Sequence, residues 1–333
     1  MGNESKINLG ITIGDPNGVG LEIILKIFED RRMFDFFTPV LFAPPMLVND
    51  CKKHLNLQTG LHTTSGSKKW NKGKLNVQSI DCPKFDIRFG TVDPAAGACA
   101  VASLQAATQA LKNQTIDALV TAPIHKKSIQ SENFSFPGHT QFLADAFESD
   151  SLMLMVKDGL RVALVTDHIP VQQVSSTVDQ NILQAKIDQF YSSLQQDFGL
   201  SKPKIAVLGM NPHAGDEGVI GQEDDLVVRP TVQAYQEKGQ LVYGPYAADS
   251  FFGSGTADAF DGILAMYHDQ GLIPFKTLSF GEGVNFTAGL PVVRTSPDHG
   301  TAFDIAGKGQ AETTSFKAAL FTAMQIYRQR QGE

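Results

Sequence analysis

Apolar residues along this chain fall into short runs of strand length, each closed by a polar or glycine-rich loop and followed by a stretch with helical spacing. Residues 7–13 read as a buried strand, Gly14-Asp-Pro-Asn-Gly18-Val-Gly20 as a turn, and residues 21–28 as an amphipathic helix. The alternation continues with a strand at 40–42, helices at 46–55 and 95–111, and a strand at 117–123. Residues 58–84 are polar and weakly periodic, which predicts irregular or edge structure around a short strand near 75–80. Residues 178–198 form the longest helical pattern, residues 281–294 are glycine-rich with short apolar pieces, and 316–328 predict a closing helix with basic residues in its last turn. Strands alternating with helices predict an α/β fold, and no internal repeat or low-complexity segment interrupts it.

Three of the strand-like runs, 161–168, 204–213 and 262–268, each end on a histidine: His168, His213 and His268. In an open α/β sheet, ligands collect beyond the carboxyl ends of the strands. Three neutral imidazoles delivered there leave coordination positions open for a substrate, as a catalytic metal requires. A histidine at a strand end also serves simply to hydrogen-bond a neighbouring loop, so geometry must decide. Asp249 and Asp269 are candidates for orienting the imidazoles, with cap or ion-pair roles equally open. His125 reads as a structural or rim residue, while His54 and His62 lie in polar surroundings and carry no message.

The turn at 14–20 stands between a strand and a helix, the context of a nucleotide fingerprint, yet its spacing is GxxxGxG and no P-loop pattern occurs. It reads equally as a set of glycines permitting a tight turn. Pro297-Asp-His299-Gly300-Thr-Ala-Phe-Asp304-Ile-Ala-Gly307-Lys-Gly309 is either a surface loop or one that lets a ligand approach the backbone closely. Phe136-Pro-Gly-His139-Thr140 feeds the first turn of a helix, where backbone donors suit an anion. Lys276, Asn285 and Arg294 bracket the glycine-rich segment and add cations and an amide for a phosphate or carboxylate, although each residue type is more often a solvated surface group.

At 333 residues the chain is long for one core, which predicts two lobes. A net charge of −7 argues against a nucleic-acid or membrane surface, so an anionic substrate must be met by local cations. Cys51, Cys82 and Cys99 are odd in number and widely spaced, which predicts neither a disulfide framework nor a cysteine zinc site and fits a reducing cytoplasm. No signal-peptide pattern precedes the first strand and no apolar stretch is long enough to span a bilayer, so a cytoplasmic protein is expected.

Taken together, several segments resemble the 4-hydroxythreonine-4-phosphate dehydrogenase family of vitamin B6 biosynthesis across nearly the whole chain. They are Gly14-Asp-Pro-Asn-Gly-Val-Gly-Leu-Glu-Ile23, Thr121-Ala-Pro123, Phe136-Pro-Gly-His-Thr140, Asn211-Pro-His-Ala-Gly215, Gly244-Pro-Tyr-Ala-Ala-Asp-Ser250, Met266-Tyr-His-Asp-Gln-Gly271 and Arg294-Thr-Ser-Pro-Asp-His-Gly-Thr-Ala-Phe-Asp-Ile-Ala-Gly307. The last is also similar to the dinucleotide-binding loop of isopropylmalate and isocitrate dehydrogenases. Asn17 and Leu21 depart from the alanine and proline usual in the first motif, and His125 stands where an asparagine is common.

The resemblance implies a two-lobed, three-layer α/β/α fold of the isocitrate/isopropylmalate dehydrogenase kind, with the active site in the interlobe cleft. One lobe is expected from 1–130 plus 300–333, the other, with the metal ligands and dimer interface, from 131–299. It implies that His168, His213 and His268 bind one divalent metal, zinc, magnesium or cobalt, with ligands drawn from both subunits of a homodimer. His139, Thr140, Lys276, Asn285 and Arg294 would contact the phosphorylated amino-acid substrate, and His299, Gly300 and Asp304 the NAD or NADP cofactor. The implied reaction oxidises 4-phosphohydroxy-L-threonine at C3, and decarboxylation of the product leaves 3-amino-2-oxopropyl phosphate, with Lys276 as the candidate for assisting proton transfer. A dehydrogenase for 4-phosphothreonate or 4-phosphoerythronate, or a metal-dependent hydrolase, is the competing expectation.

Overall fold

The computed structural model describes residues 6–65, 69–132 and 134–332. The expectations touching residues 1–5 and 66–68, at the N-terminus and inside the polar stretch, lie outside the described residues. In chain order the strands are β1 (Ile7–Thr12), β2 (Phe37–Phe42), β3 (Leu61–Thr64), β4 (Leu75–Gln78), β5 (Ala118–Thr121), β6 (Leu152–Lys157), β7 (Leu160–Leu164), β8 (Ile205–Leu208), β9 (Val242–Tyr246), β10 (Gly262–Ala265), β11 (Val284–Ala288) and β12 (Val293–Pro297). Helices alternate with them, and the fold is α/β. The chain divides into two compact units, the first within Met1–Asp150 and Leu290–Arg328, the second within Ser151–Gly289 and Gln329–Glu333.

In the first unit the strand order is β3-β4-β2-β1-β5-β12, and every pairing is parallel. Strands β2, β5 and β12 are buried at every position, because helices cover both faces of a parallel sheet and leave no wet side for polar alternation. Asp93 caps the helix Pro94–Lys112 by accepting from the Ala95 amide at 2.8 Å, and Pro94 occupies the first turn, where its missing N–H costs nothing. At 19 residues this helix exceeds the 17 of Gln180–Gln196, which the apolar pattern had ranked longest. The glycine turn is packed against backbone. Gly14 has φ +65° and its missing Cβ leaves room for the Pro123 carbonyl, which accepts from the Asp15 amide at 2.8 Å.

The second unit orders its strands β11-β6-β7-β10-β8-β9. The β11–β6 and β6–β7 pairs are antiparallel; β7–β10, β10–β8 and β8–β9 are parallel. Its core is built from Met155, Val162, Leu164, Ala206, Leu208, Ile263, Leu272 and Phe275 among others. The helix Gln180–Gln196 buries Leu183, Ile187, Phe190 and Leu194, one stripe at helical spacing. It starts at 180 rather than 178 because the Asp179 carboxylate accepts from the Ile182 amide at 2.8 Å and acts as the cap.

The expected irregular stretch contains two parallel strands, β3 and β4, on the edge of the first sheet. All three cysteines are free thiols, yet the Sγ atoms of Cys82 and Cys99 lie 2.8 Å apart. Among the described residues, no helix is long and apolar enough to cross a membrane.

Candidate functional site

The three histidine-ending runs become β7, β8 and β10, and these are neighbours in the order β7-β10-β8, all parallel. Parallel neighbours release their chains at the same edge of a sheet, so His168, His268 and His213 all follow carboxyl ends on one edge of the second unit. His168 and His268 meet: their ring centroids are 5.7 Å apart with the planes inclined at 53°. His268 opens the helix His268–Ser279, whose cap residue Tyr267 is still extended. Both rings line a hollow of about 360 Å³ together with Asp167, Tyr267, Asp269 and the apolar residues Ile169, Val171 and Val174.

Each of the two imidazoles has a carboxylate at Nδ1. Asp269 lies 2.7 Å from Nδ1 of His268, and Asp167 lies 3.5 Å from Nδ1 of His168 while accepting from the His168 amide at 2.6 Å. The hydrogen bonds from His168 hold the Asp167 carboxyl at about 2, against the opposing effect of its partial burial. A carboxylate that accepts from Nδ1–H leaves the lone pair on Nε2, the atom a metal would use. This donor chemistry fits a divalent cation. Asp249, the other candidate for orienting an imidazole, is exposed in the helix Ala248–Gly253.

His213 is exposed in the turn Pro212–Gly215 with φ +55°, and Ala214, Asp216 and Glu217 are left-handed as well. Non-glycine residues enter this region only when surrounding bonds compel them. Just before these residues the fully buried Asp224 holds the chain, accepting from the amides of Met210 and Asn211 at 2.7 and 3.0 Å and from the Asn211 side chain at 3.1 Å. Among the described residues, no three His, Cys, Asp or Glu side chains are grouped so as to hold a metal ion.

In the first unit His139 and Thr140 are the opening residues of the helix His139–Ala146, after Gly138, with no side chain capping it. Their loop is pinned by a triangle of rings, Phe134, Phe136 and Phe142, at centroid separations of 5.4 to 5.5 Å. The Nε2 atom of His139 is buried with no hydrogen-bond partner, although the residue as a whole is partly exposed. Burial first, then the Arg294 charge, hold this imidazole well below its usual pKa and therefore neutral. Arg294, on β12 and 3% exposed, donates twice to Thr121 Oγ1 on β5, at 3.1 and 2.6 Å. Burial pushes its guanidinium down to about 9, so it stays charged at neutral pH. A neutral imidazole, a buried guanidinium and the opening amides of a helix are donors of the kind that suit an anion.

Lys276 and Asn285 belong to the second unit. Lys276 is exposed on the helix His268–Ser279, and Asn285 on β11 has a buried Oδ1 with no hydrogen-bond partner. The loop after β12 carries His299, whose Nδ1 lies 3.0 Å from the Gly300 carbonyl and whose Nε2 is buried without a partner. Gly300 has open space where a Cβ would stand, and Asp304 is exposed. The Thr301 carbonyl accepts from the Val19 amide at 3.0 Å, so the glycine turn and this loop pack on each other. Two aromatic contacts flank the loop: His125 stacks on Phe303 at 5.2 Å, and His54 packs on Phe89 at 4.9 Å while its Nε2 lies 3.0 Å from the Gly307 carbonyl. Asn17 is buried and secures the segment before the helix Pro94–Lys112, accepting from the Arg88 amide at 2.8 Å and donating to the Thr91 carbonyl at 3.1 Å.

Sequence reasoning passed over Asp167, Thr121, Asp224 and Gln270. Thr121 and Gln270 stand inside contiguous motifs and Asp167 beside His168, so adjacency is the available signal. Asp224 lies 11 residues beyond His213 in a polar run and had none.

Residues 35–323 match the family described as pyridoxal phosphate biosynthetic protein PdxA. A 4-hydroxythreonine-4-phosphate dehydrogenase of Bacteroides thetaiotaomicron is 47% identical over 332 residues, covering 99% of this chain and 91% of the relative. The enzyme of the same name from Prosthecochloris aestuarii is 40% identical over 324 residues, covering 95% and 96%. The crystal structure of the Klebsiella pneumoniae 4-hydroxythreonine-4-phosphate dehydrogenase superposes with a TM-score of 0.84 at 33% identity, covering 97% of this chain and all of that one. With a match over most of its length and relatives this similar, the chain belongs to the PdxA family.

Proposed function

We propose that this protein is a metal-dependent, NAD- or NADP-linked 4-hydroxythreonine-4-phosphate dehydrogenase, oxidising 4-phosphohydroxy-L-threonine to 2-amino-3-oxo-4-phosphooxybutanoate, which decarboxylates to 3-amino-2-oxopropyl phosphate in pyridoxal phosphate biosynthesis. The observation that carries the reading is the meeting of His168 and His268, each with a carboxylate at Nδ1, beyond the ends of adjacent parallel strands. When bound, a divalent cation such as zinc, cobalt or magnesium lowers the pKa of an alcohol, and the nicotinamide accepts hydride.

The chain's own residues supply the rest. Asp269 and Asp167 hold the two imidazoles in the tautomer that presents Nε2. His213 is the third imidazole of the set, and a homodimer in which ligands come from both subunits completes the site. Arg294, His139 and Thr140 take the phosphoryl oxygens: the guanidinium supplies charge, and the neutral imidazole supplies an N–H without adding a second buried cation. Asn285 orients the amino-acid end through its unsatisfied Oδ1, and Lys276 relays a proton at its Nζ. His299, Gly300 and Asp304 serve the dinucleotide.

The test is dinucleotide reduction, followed by near-ultraviolet absorbance, with 4-phosphohydroxy-L-threonine, 4-phosphothreonate and 4-phosphoerythronate compared side by side. The first should show the highest kcat/KM and lose turnover on chelation, with recovery on adding back zinc or cobalt. Faster oxidation of another substrate would reassign the specificity. No reduction with any of them, alongside phosphoester hydrolysis, would overturn the dehydrogenase reading.

A further inference from the structure

The histidines stand four, three and five residues beyond the ends of β7, β10 and β8, past the point where the strand ladders stop. Chains leaving a sheet diverge unless other bonds hold them, and here the bonds are specific. Between β7 and β10 the backbone adds two rungs, Val165 N to Ala265 O at 2.8 Å and Thr166 N to Met266 O at 3.2 Å, and Thr166 Oγ1 donates to Met266 O at 2.7 Å. Between β10 and β8 a side chain makes a link. Gln270 accepts from the Met266 amide through Oε1 at 2.7 Å and donates from Nε2 to the Gly209 carbonyl at 2.7 Å. Asp224 then takes the next two amides, Met210 and Asn211, and leads the chain into the turn of His213.

Resting on the metal-site reading above, we infer that Gln270 is a positioning residue for the metal ligands: its amide clamps the exits of β10 and β8 and so sets how His268 and His213 are presented. The position calls for one acceptor and one donor in a single planar group, which glutamine has and glutamate lacks. Gln270→Glu keeps the shape and the bond from Met266 but turns a carboxylate oxygen on the Gly209 carbonyl. Gln270→Met keeps the length and loses both bonds.

The test titrates metal-free protein with cobalt(II), reading affinity and the visible absorption of the bound ion, with thermal melting of the metal-free variants as the fold control. Each Gln270 variant should bind cobalt about 10- to 100-fold more weakly and shift the absorption bands, as removal of groups that orient ligands does. Either variant suffices if the other fails to fold. Parental affinity and spectrum in a folded Gln270 variant, with binding lost in His268→Ala, would overturn the inference while leaving the metal site standing. Parental binding in His268→Ala would instead remove the metal site.

A separate observation carries a second inference. Cys82, half-buried in the segment before the helix Pro94–Lys112, has its Sγ 2.8 Å from Sγ of Cys99, buried on that helix, while Cys51 is buried elsewhere. The geometry points to a reversible oxidation site for hydrogen peroxide. One thiol takes an oxygen atom from the peroxide, releasing water and leaving a sulfenic acid; the other sulfur displaces the second water, so two thiols and one peroxide yield a disulfide and two waters. Treating the parent protein with hydrogen peroxide should remove the mass of two hydrogens, reversibly with dithiothreitol, and yield a Cys82–Cys99 linked peptide absent from Cys82→Ser. Oxygen addition without the linked peptide, or no reaction, would overturn it.

Discussion

At the scale of single residues, the proposed phosphate site turns on one buried charge. Arg294 gives two of its N–H groups to Thr121 and stands beside an imidazole kept neutral by burial first and then by the arginine's charge. Arg294→Ala should raise KM for the phosphorylated substrate about 10- to 100-fold, the worth of a hydrogen-bonded charge, with far less effect on KM for the dinucleotide. Equal effects on both would take Arg294 out of the phosphate site. His213→Ala should abolish turnover and weaken cobalt binding while leaving the melting temperature of metal-free protein close to parental, since the side chain is exposed. Asp15 supplies a pH prediction of defined sign. Burial, outweighing the hydrogen bonds from Asn17 and Ser128, raises its pKa above 3.8, so its contribution to stability is present below that value and lost as pH rises through the folded-state value. Melting temperatures from pH 4 to 7 should therefore move in favour of Asp15→Asn relative to the parent; a constant difference would contradict this.

At the scale of elements, positions that packing determines locally were legible, and positions that distant groups determine were not. The helix at 94–112 could be read because Asp93, Pro94 and an apolar stripe all act within the segment itself. The left-handed turn of His213 could not, because the chain leading into it is held by Asp224, which arrives with a later helical segment. The loop carrying His139 is an intermediate case: its motif stands in the chain, but the three phenylalanine rings that fix it declare themselves only in space. Phe134→Ala, removing a ring 2% exposed, should cost about 3–5 kcal/mol in denaturant unfolding and raise KM for substrate along with it. An unchanged KM in the folded variant would separate that cluster from the anion site. The glycines of the turn at 14–20 admit backbone from Pro123 and from the 298–309 loop, contacts that no local pattern announces.

At the scale of the whole molecule, the proposed sharing of each site between two subunits makes a prediction that no single residue does. Mixing inactive His213→Ala with inactive His268→Ala, under conditions that exchange subunits, should restore roughly a quarter of parental activity, because mixed dimers then hold one site with no lesion. No recovery, despite demonstrated exchange, would mean that the two ligands of a site come from one chain. By itself the sequence determined the α/β class, the strands and helices with strong periodicity, the three histidines and the family, because apolar period, turn residues and contiguous motifs act over short stretches of chain. Only the tertiary structure decided that β7, β10 and β8 are neighbours, that His168 and His268 meet with carboxylates at Nδ1, that Gln270 ties two strand exits, and that Cys82 faces Cys99. Those are contacts between residues far apart in the chain, and strand order and buried hydrogen bonds are settled by which surfaces pack together.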